Sequence, residues 1–135
     1  MPYLNWDSKY SVNIACFDKD HQQLFQIINE LHDGMKAGHG KDVLQSVLTK
    51  LLRYTEEHFT REEAAMKSRG FPQLSTHLQE HRSFCAKMKK FSDQHKAGTL
   101  AITVDMLEFL TQWLARHIVG ADQQYSEFLN ARGVV

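Results

Sequence analysis

Histidines and carboxylates recur at helical spacing in four short segments: Asp18 to His21, His58 to Glu63, His77 to His81, and His117 to Asp122. Residues four apart differ by about 40° around a helix, so His58 with Glu62, and His77 with His81, each present two donors to one side. Five imidazoles (His21, His58, His77, His81, His117) and two acids (Glu62, Asp122) form a ligand set suited to a pair of transition-metal ions. Two such ions, about 3.5 to 4 Å apart, can share carboxylates. Dividing the imidazoles three and two then leaves one ion with an open coordination position. Seven ligands overshoot the four-coordinate preference of zinc, so iron or manganese fits better. Oxygen-activating di-iron bundles are richer in acid, with a Glu from each of two helices and Glu-x-x-His from the others. No Glu-x-x-His run feeds this layer, which favours reversible binding of a small molecule over oxidative turnover.

Such donors meet only if the elements carrying them bring them to one height. Two prolines in 135 residues, and an abundance of Leu, Gln, Lys, Glu and Met, predict helices throughout. The fold class is therefore all-α, an up-down-up-down antiparallel four-helix bundle with an N-terminal arm and a short C-terminal segment. The arm, about seventeen residues anchored by Trp6, Val12, Ile14 and Phe17, is expected to cross the bundle as an extended strap. The first helix is placed from Asp18 or Lys19 to about Ala37, the second from about Lys41 to Ser68, the third from Pro72 to about His95 and the fourth from roughly Thr99 to Val119. Apolar stripes run along them: Leu24, Ile28 and Leu31 from His21; Leu44, Val47 and Leu51 towards His58; Ile102, Met106 and Trp113 towards His117.

Residues equally far from a tight turn lie level on an antiparallel helix pair. His21 and His58 lie eighteen and nineteen residues from His39; His58 and His81 lie twelve and eleven from Gly70, with Glu62 and His77 eight and seven from it. His81 and His117 lie seventeen and nineteen from Gly98. At the rise of an α-helix these mismatches amount to only about 1.5 to 3 Å. Asp122 follows His117 by five, which on an unbroken helix turns it about 140° away; a break at Gly120 is expected to fold the acid back. Burying this set without a metal costs several kcal/mol unless every group is paired. His32, His39 and His95 fall near turns and are read as solvated, and Glu63, Glu56 and Glu57 each as a surface group or a support for a ligand.

Composition narrows the partners. Sixteen basic and sixteen acidic residues cancel without clustering, which excludes an electrostatic footprint for nucleic acid or an anionic membrane. No run approaches the roughly 20 apolar residues of a membrane span, and the start has no basic and apolar leader pattern. Residues 1–135 are read as one cytoplasmic, monomeric domain. Cys16 and Cys85 are far apart and are read as buried thiols rather than a disulfide; Cys85, four residues after His81, is a weak candidate sulfur ligand.

The ordered set W6-x4-S11-V12-x-I14-x3-D18-x2-H21, H58-F59-x2-E62-E63, F71-P72-x4-H77-x3-H81 and W113-L114-x2-H117-I118-x3-D122-x2-Y125 covers nearly the whole chain. It resembles the single-domain bacterial members of the hemerythrin family. The resemblance implies reversible oxygen binding at an oxo- or hydroxo-bridged pair of iron ions, for storage or for delivery to an oxygen-consuming enzyme. It implies that His77, His81 and His117 hold the saturated iron, that His21 and His58 hold the iron with the open position, and that Glu62 and Asp122 bridge. A non-enzymatic role is expected, with a di-iron enzyme acting on peroxide or nitric oxide, or a stand-alone oxygen sensor, as alternatives. Trp113, one turn before His117, and Phe59, beside His58, are candidate walls of an oxygen pocket.

Overall fold

A computed structural model of the chain describes residues 3–98 and 104–135, with only the backbone at 40–42 and 104–105. Periodic apolar residues form the helices α1 (Ala15–Lys36), α2 (Gly40–Arg69), α3 (Leu74–Lys96) and α4 (Val104–Arg116), followed by a π-helical turn over His117–Asp122 and a short α5 (Gln123–Asn130). No strand occurs among the described residues. The helices pack as a four-helix bundle, as the apolar stripes require. On α1 the buried residues Phe17, His21, Leu24, Ile28 and Leu31 recur at three and four. Leu44, Val47, Leu48 and Leu51 answer them from α2, each fully buried aliphatic side chain contributing about 1.5 to 3 kcal/mol.

The first two connections are tight. At the end of α2, Gly70 takes a left-handed φ of 71°, and Phe71 N–H reaches back to Met66 C=O at 2.9 Å. This closes the helix and reverses the chain within a few residues, a conformation that favours glycine. Gly34 serves a different purpose, because a Cβ placed there would lie 2.5 Å from Cγ2 of Val43. Its missing side chain lets α1 approach α2 closely near their turn. The third helix starts at Leu74, two residues after the expected Pro72, since the turn occupies the proline. The expected start of the fourth helix at Thr99, and its stripe residue Ile102, lie outside the described residues.

The arm is a strap held on both sides. Leu4 exchanges two backbone hydrogen bonds with the Asn29 amide on α1, at 2.8 and 2.9 Å. From α5, the Ser126 hydroxyl donates to Val12 C=O at 2.6 Å and the Asn130 amide to Asn13 C=O at 3.0 Å. Val12 and Ile14, the arm's own apolar anchors, are fully buried. Helix α1 begins at Ala15, three residues before the expected Asp18. The reason is that Asp18 acts from inside the first turn: its carboxylate accepts the Ser11 hydroxyl at 2.6 Å and Val12 N–H at 2.8 Å, tying down the chain ahead of the helix. Asp18→Ala therefore leaves a partly buried N–H unpaired and should lower the stability of the iron-free protein by about 1 to 2 kcal/mol, read as a lower urea midpoint at unchanged slope.

Candidate metal centre

Each bundle helix contributes donors to one buried layer. Helix α1 brings His21, α2 brings His58 and Glu62, α3 brings His77 and His81, and the π turn brings His117 and Asp122. All seven are at most 5% exposed. The rings of His21 and His58 are 4.5 Å apart, those of His77 and His81 4.5 Å, and those of His81 and His117 4.9 Å. The level heights counted from the turns are therefore realised in three dimensions.

Asp122 enters the layer by a route other than the expected break at Gly120. The chain stays helical, but from His117 to Asp122 it is wound as a π-helix. A π turn bonds residue i to i+5, so residues five apart come nearly into line. His117 and Asp122 thus face the same way, and His117 Nε2 lies 3.0 Å from Asp122 Oδ1. Gly120 itself is exposed, and a Cβ there would meet nothing within 4 Å.

The donor atoms divide into two groups. Atoms of Glu62, His77, His81, His117 and Asp122 lie within 4.8 Å of one another, and so do those of His21, His58, Glu62 and Asp122. The two acids are common to both. Neighbouring donors are spaced at 2.9 Å (His58 Nε2 to Glu62 Oε1), 2.9 Å (His77 Nε2 to Asp122 Oδ1) and 3.1 Å (His21 Nε2 to Asp122 Oδ2). Donors about 2.1 Å from one ion at right angles would be about 3 Å apart. Despite these distances, His21 Nε2, His58 Nε2, His77 Nε2, Glu62 Oε1 and both Asp122 oxygens make no hydrogen bond of acceptable angle among the described residues. Their lone pairs are not directed at each other. His81 Nε2 and His117 Nε2 likewise converge at 3.1 Å. Such a donor set fits cations at the common focus.

Groups outside the layer set the orientation of three rings. His58 Nδ1 lies 2.9 Å from Asp20, which Arg61 also holds at 2.7 Å; His81 Nδ1 lies 3.2 Å from Glu63; His117 Nδ1 lies 2.9 Å from Glu80. A carboxylate at Nδ1 keeps the proton there and leaves the Nε2 lone pair facing inward. Across the layer the Tyr125 hydroxyl donates a short hydrogen bond to Glu62 Oε2. The sequence reading had singled out neither Asp20 nor Glu80 as supports. Glu63 takes the supporting role that the reading held open. Their one sequence signal is an acid next to a layer residue, at Asp20 before His21, Glu80 before His81 and Glu63 after Glu62. In each case the acid serves a histidine on another helix, a pairing that spacing along one helix does not reveal.

Without cations, protons shared between rings and acids balance the layer. Burial opposes a charged His58, but the Glu62 carboxylate charge beside it and the hydrogen bond with Asp20 outweigh it and raise its pKa to about 10. Burial drives His81 the other way, to about 2, helped by the neighbouring imidazoles of His117 and His77. Asp122 stays ionised despite its burial, because His117, His21 and His77 surround it. Burial, and then the Glu62 charge, push the Tyr125 hydroxyl well above its usual range, so it remains a donor.

Beside the layer lies a cavity of about 10 Å³, walled largely by apolar side chains that include Leu24, Ile28, Phe59 and Trp113 and bordered by His21, His58 and His117. Phe59 stacks on His81 at 3.6 Å, and Trp113 stacks on His117 at 4.5 Å and on Phe84 at 4.1 Å. Of the remaining candidates, Cys85 is half-buried and not among the clustered donors, and Cys16 is exposed, contrary to the expected buried thiol, because its position on α1 faces solvent. His39 is exposed, whereas His32 and His95 are half-buried; His32 stacks on Tyr3 at 4.4 Å. None of the three joins the layer.

Comparison with known proteins agrees with this arrangement. Residues 12–129 match the hemerythrin HHE cation binding domain. The chain is 30% identical over 129 residues to a bacteriohemerythrin of Clostridium acetobutylicum, covering 89% of this chain and 96% of that one. It is 30% identical over 125 residues to a myohemerythrin of Theromyzon tessulatum, covering 92% and 91%. A crystal structure of wild-type hemerythrin superposes with a TM-score of 0.87 at 26% identity, covering 94% of this chain and 98% of the other. The chain belongs to the hemerythrin family, whose members bind oxygen at a non-haem di-iron centre, and its buried His, Glu and Asp groups are of the kind that hold one. No helix among the described residues is long and apolar enough to cross a membrane.

Removing a group that orients a ring should weaken metal binding without abolishing the fold. Asp20→Ala should lower iron affinity about 10- to 100-fold in competition with a chelator; full retention would show that Asp20 does not set the His58 ring.

Proposed function

We propose that His77, His81 and His117 hold one iron ion, that His21 and His58 hold the other, and that Glu62 and Asp122 bridge them. The observation that carries this assignment is the division of the donor atoms into two groups with only those two acids in common. Three imidazoles then serve one ion and two the other, leaving the second with an open position. The small cavity borders His21 and His58, where that position would face. When bound, the iron pair supplies the electrons that hold oxygen reversibly.

The chain's own groups account for the rest. Asp20, Glu63 and Glu80 keep three imidazoles in the tautomer that offers Nε2. Tyr125 fixes the Glu62 carboxylate. Leu24, Ile28, Phe59 and Trp113 keep water and protons from the pocket, which slows irreversible oxidation. A space of about 10 Å³ is close to that of one water-sized molecule and too small for an organic substrate, which supports storage of oxygen, or its delivery to an oxygen-consuming enzyme, over turnover of such a substrate. Exposed large apolar side chains among the described residues are scattered, at Tyr3, Val119 and Val135, which supports a monomer. The exposed free thiol of Cys16 suits a reducing compartment, and this supports a cytoplasmic location.

The test is optical. The ferrous protein exposed to air should gain a visible charge-transfer band and lose it on deoxygenation over repeated cycles; irreversible oxidation without the band would refute reversible binding, and sustained consumption of peroxide or nitric oxide would point to an enzyme. Trp113 separates the inner cavity from a surface cleft beside Glu80 and Arg116. Trp113→Leu should therefore shorten the lifetime of the oxygen-loaded protein about tenfold while iron content stays unchanged, and an unaltered lifetime would reduce Trp113 to packing.

A further inference from the structure

The wall of the inner cavity holds one polar group that the donor layer does not use. Thr55 sits on α2, one turn before His58, is 2% exposed and lines the cavity together with His21 and His58. Its Oγ1 is buried and has no hydrogen-bond partner among the described residues. Three other helical threonines behave otherwise: Thr49, Thr60 and Thr111 each donate to the backbone carbonyl four residues earlier, at 2.9, 2.7 and 2.9 Å, while Thr76, near the start of α3, is exposed to solvent. That bond is the usual way for a helical threonine to satisfy its hydroxyl. Thr55 forgoes it at the one threonine on this cavity wall. A buried hydroxyl left unpaired is costly, and a valine of the same shape would fill the wall without that cost.

We infer that Thr55 is a ligand-positioning residue, whose hydroxyl donates a hydrogen bond to a small molecule held in the cavity beside His21 and His58. The ligand class is a diatomic or triatomic molecule that carries partial negative charge when bound, such as oxygen or a small anion. The free space beside His21 and His58, about 10 Å³, is close to that of one water-sized molecule, so only a very small ligand is compatible with it. Every other contribution to its wall, apart from the layer's own donors, comes from Trp113 or from apolar side chains such as Leu24, Leu51 and Phe84. A single hydroxyl in these surroundings selects for ligands that accept a hydrogen bond and slows their escape. The inference rests on the proposed open position at the His21 and His58 side.

The test compares Thr55→Val, which keeps the shape and removes the hydroxyl, with Thr55→Ser, which keeps the hydroxyl. Three readouts are taken: the urea midpoint of the iron-free protein, the affinity of the oxidised iron-loaded protein for azide, and the rate of oxygen release from the reduced protein. One hydrogen bond to a charged acceptor corresponds to a change of about tenfold. Thr55→Val should therefore bind azide about tenfold more weakly and release oxygen about tenfold faster, with Thr55→Ser close to the parent. The iron-free Thr55→Val protein should unfold at the same urea concentration or a higher one, because the hydroxyl has no partner to lose. Azide affinity and oxygen release within twofold of the parent in Thr55→Val, or a serine variant that behaves like the valine variant, would overturn the inference. So would a clear loss of iron-free stability in Thr55→Val, which would mean that the hydroxyl is bonded within the protein. Thr55→Ala gives the same reading of the hydroxyl if the valine variant does not fold. A parent protein without a reversible oxygen band, but with weakened azide binding in Thr55→Val, would fault the oxygen reading and leave the role of Thr55 standing. A reversible band with unchanged rates in the variant would do the reverse.

Discussion

Two carboxylates with no access to solvent, Glu62 and Asp122, sit at the centre of the bundle, and the remainder of the structure can be understood as the means of keeping them ionised there. An isolated buried charge of this kind costs far more than a small domain can spare. Five imidazoles from four elements converge on the pair, and Tyr125 donates to Glu62. The compensation is incomplete among the described residues, because several Nε2 and carboxylate lone pairs face a common focus rather than one another. The layer is thus a weak core whose donor set fits cations. The apolar stripes above it and the strap from α1 to α5 supply the stability that the layer does not.

The π turn is the local feature on which the two groups of donors depend. Were His117 to Asp122 wound as an ordinary α-helix, the acid would point away from the bundle axis and only Glu62 would be common to both groups. Widening the turn keeps both residues on the inner face without breaking the helix, and α5 then continues far enough to place Tyr125 against Glu62 and Ser126 against the arm. One local change of helical pitch therefore joins the metal layer to the closure of the fold.

Much of this was legible in the sequence, for reasons that differ from element to element. The periodic stripes gave the bundle, and the distances of His21, His58, His77, His81 and His117 from three turns gave their common height, because helical rise is nearly constant. The approach of Asp122 was legible only as a need: glycine at 120 was read as a break, whereas the actual device is a change of winding that no residue type announces. Asp20 and Glu80 were invisible to spacing because each supports a ring on a neighbouring helix, and such pairings depend on how helices are rotated about their axes. The exposed Cys16 followed from helix α1 starting three residues early, which an acid acting from within the first turn had concealed. Thr55 was not singled out in the α2 stripe, although it lies four residues after Leu51 and three before His58, and its unpaired hydroxyl emerges only with the cavity.

The central claim is that two buried acids are common to two separate iron sites in one layer. An anomalous-difference map at the iron edge, from crystals of the iron-loaded protein, tests it most directly. The account predicts two peaks per chain, with Glu62 and Asp122 each reaching both, His77, His81 and His117 around one, and His21 and His58 around the other. A single peak, or a peak with ligands drawn from outside these seven residues, would contradict it.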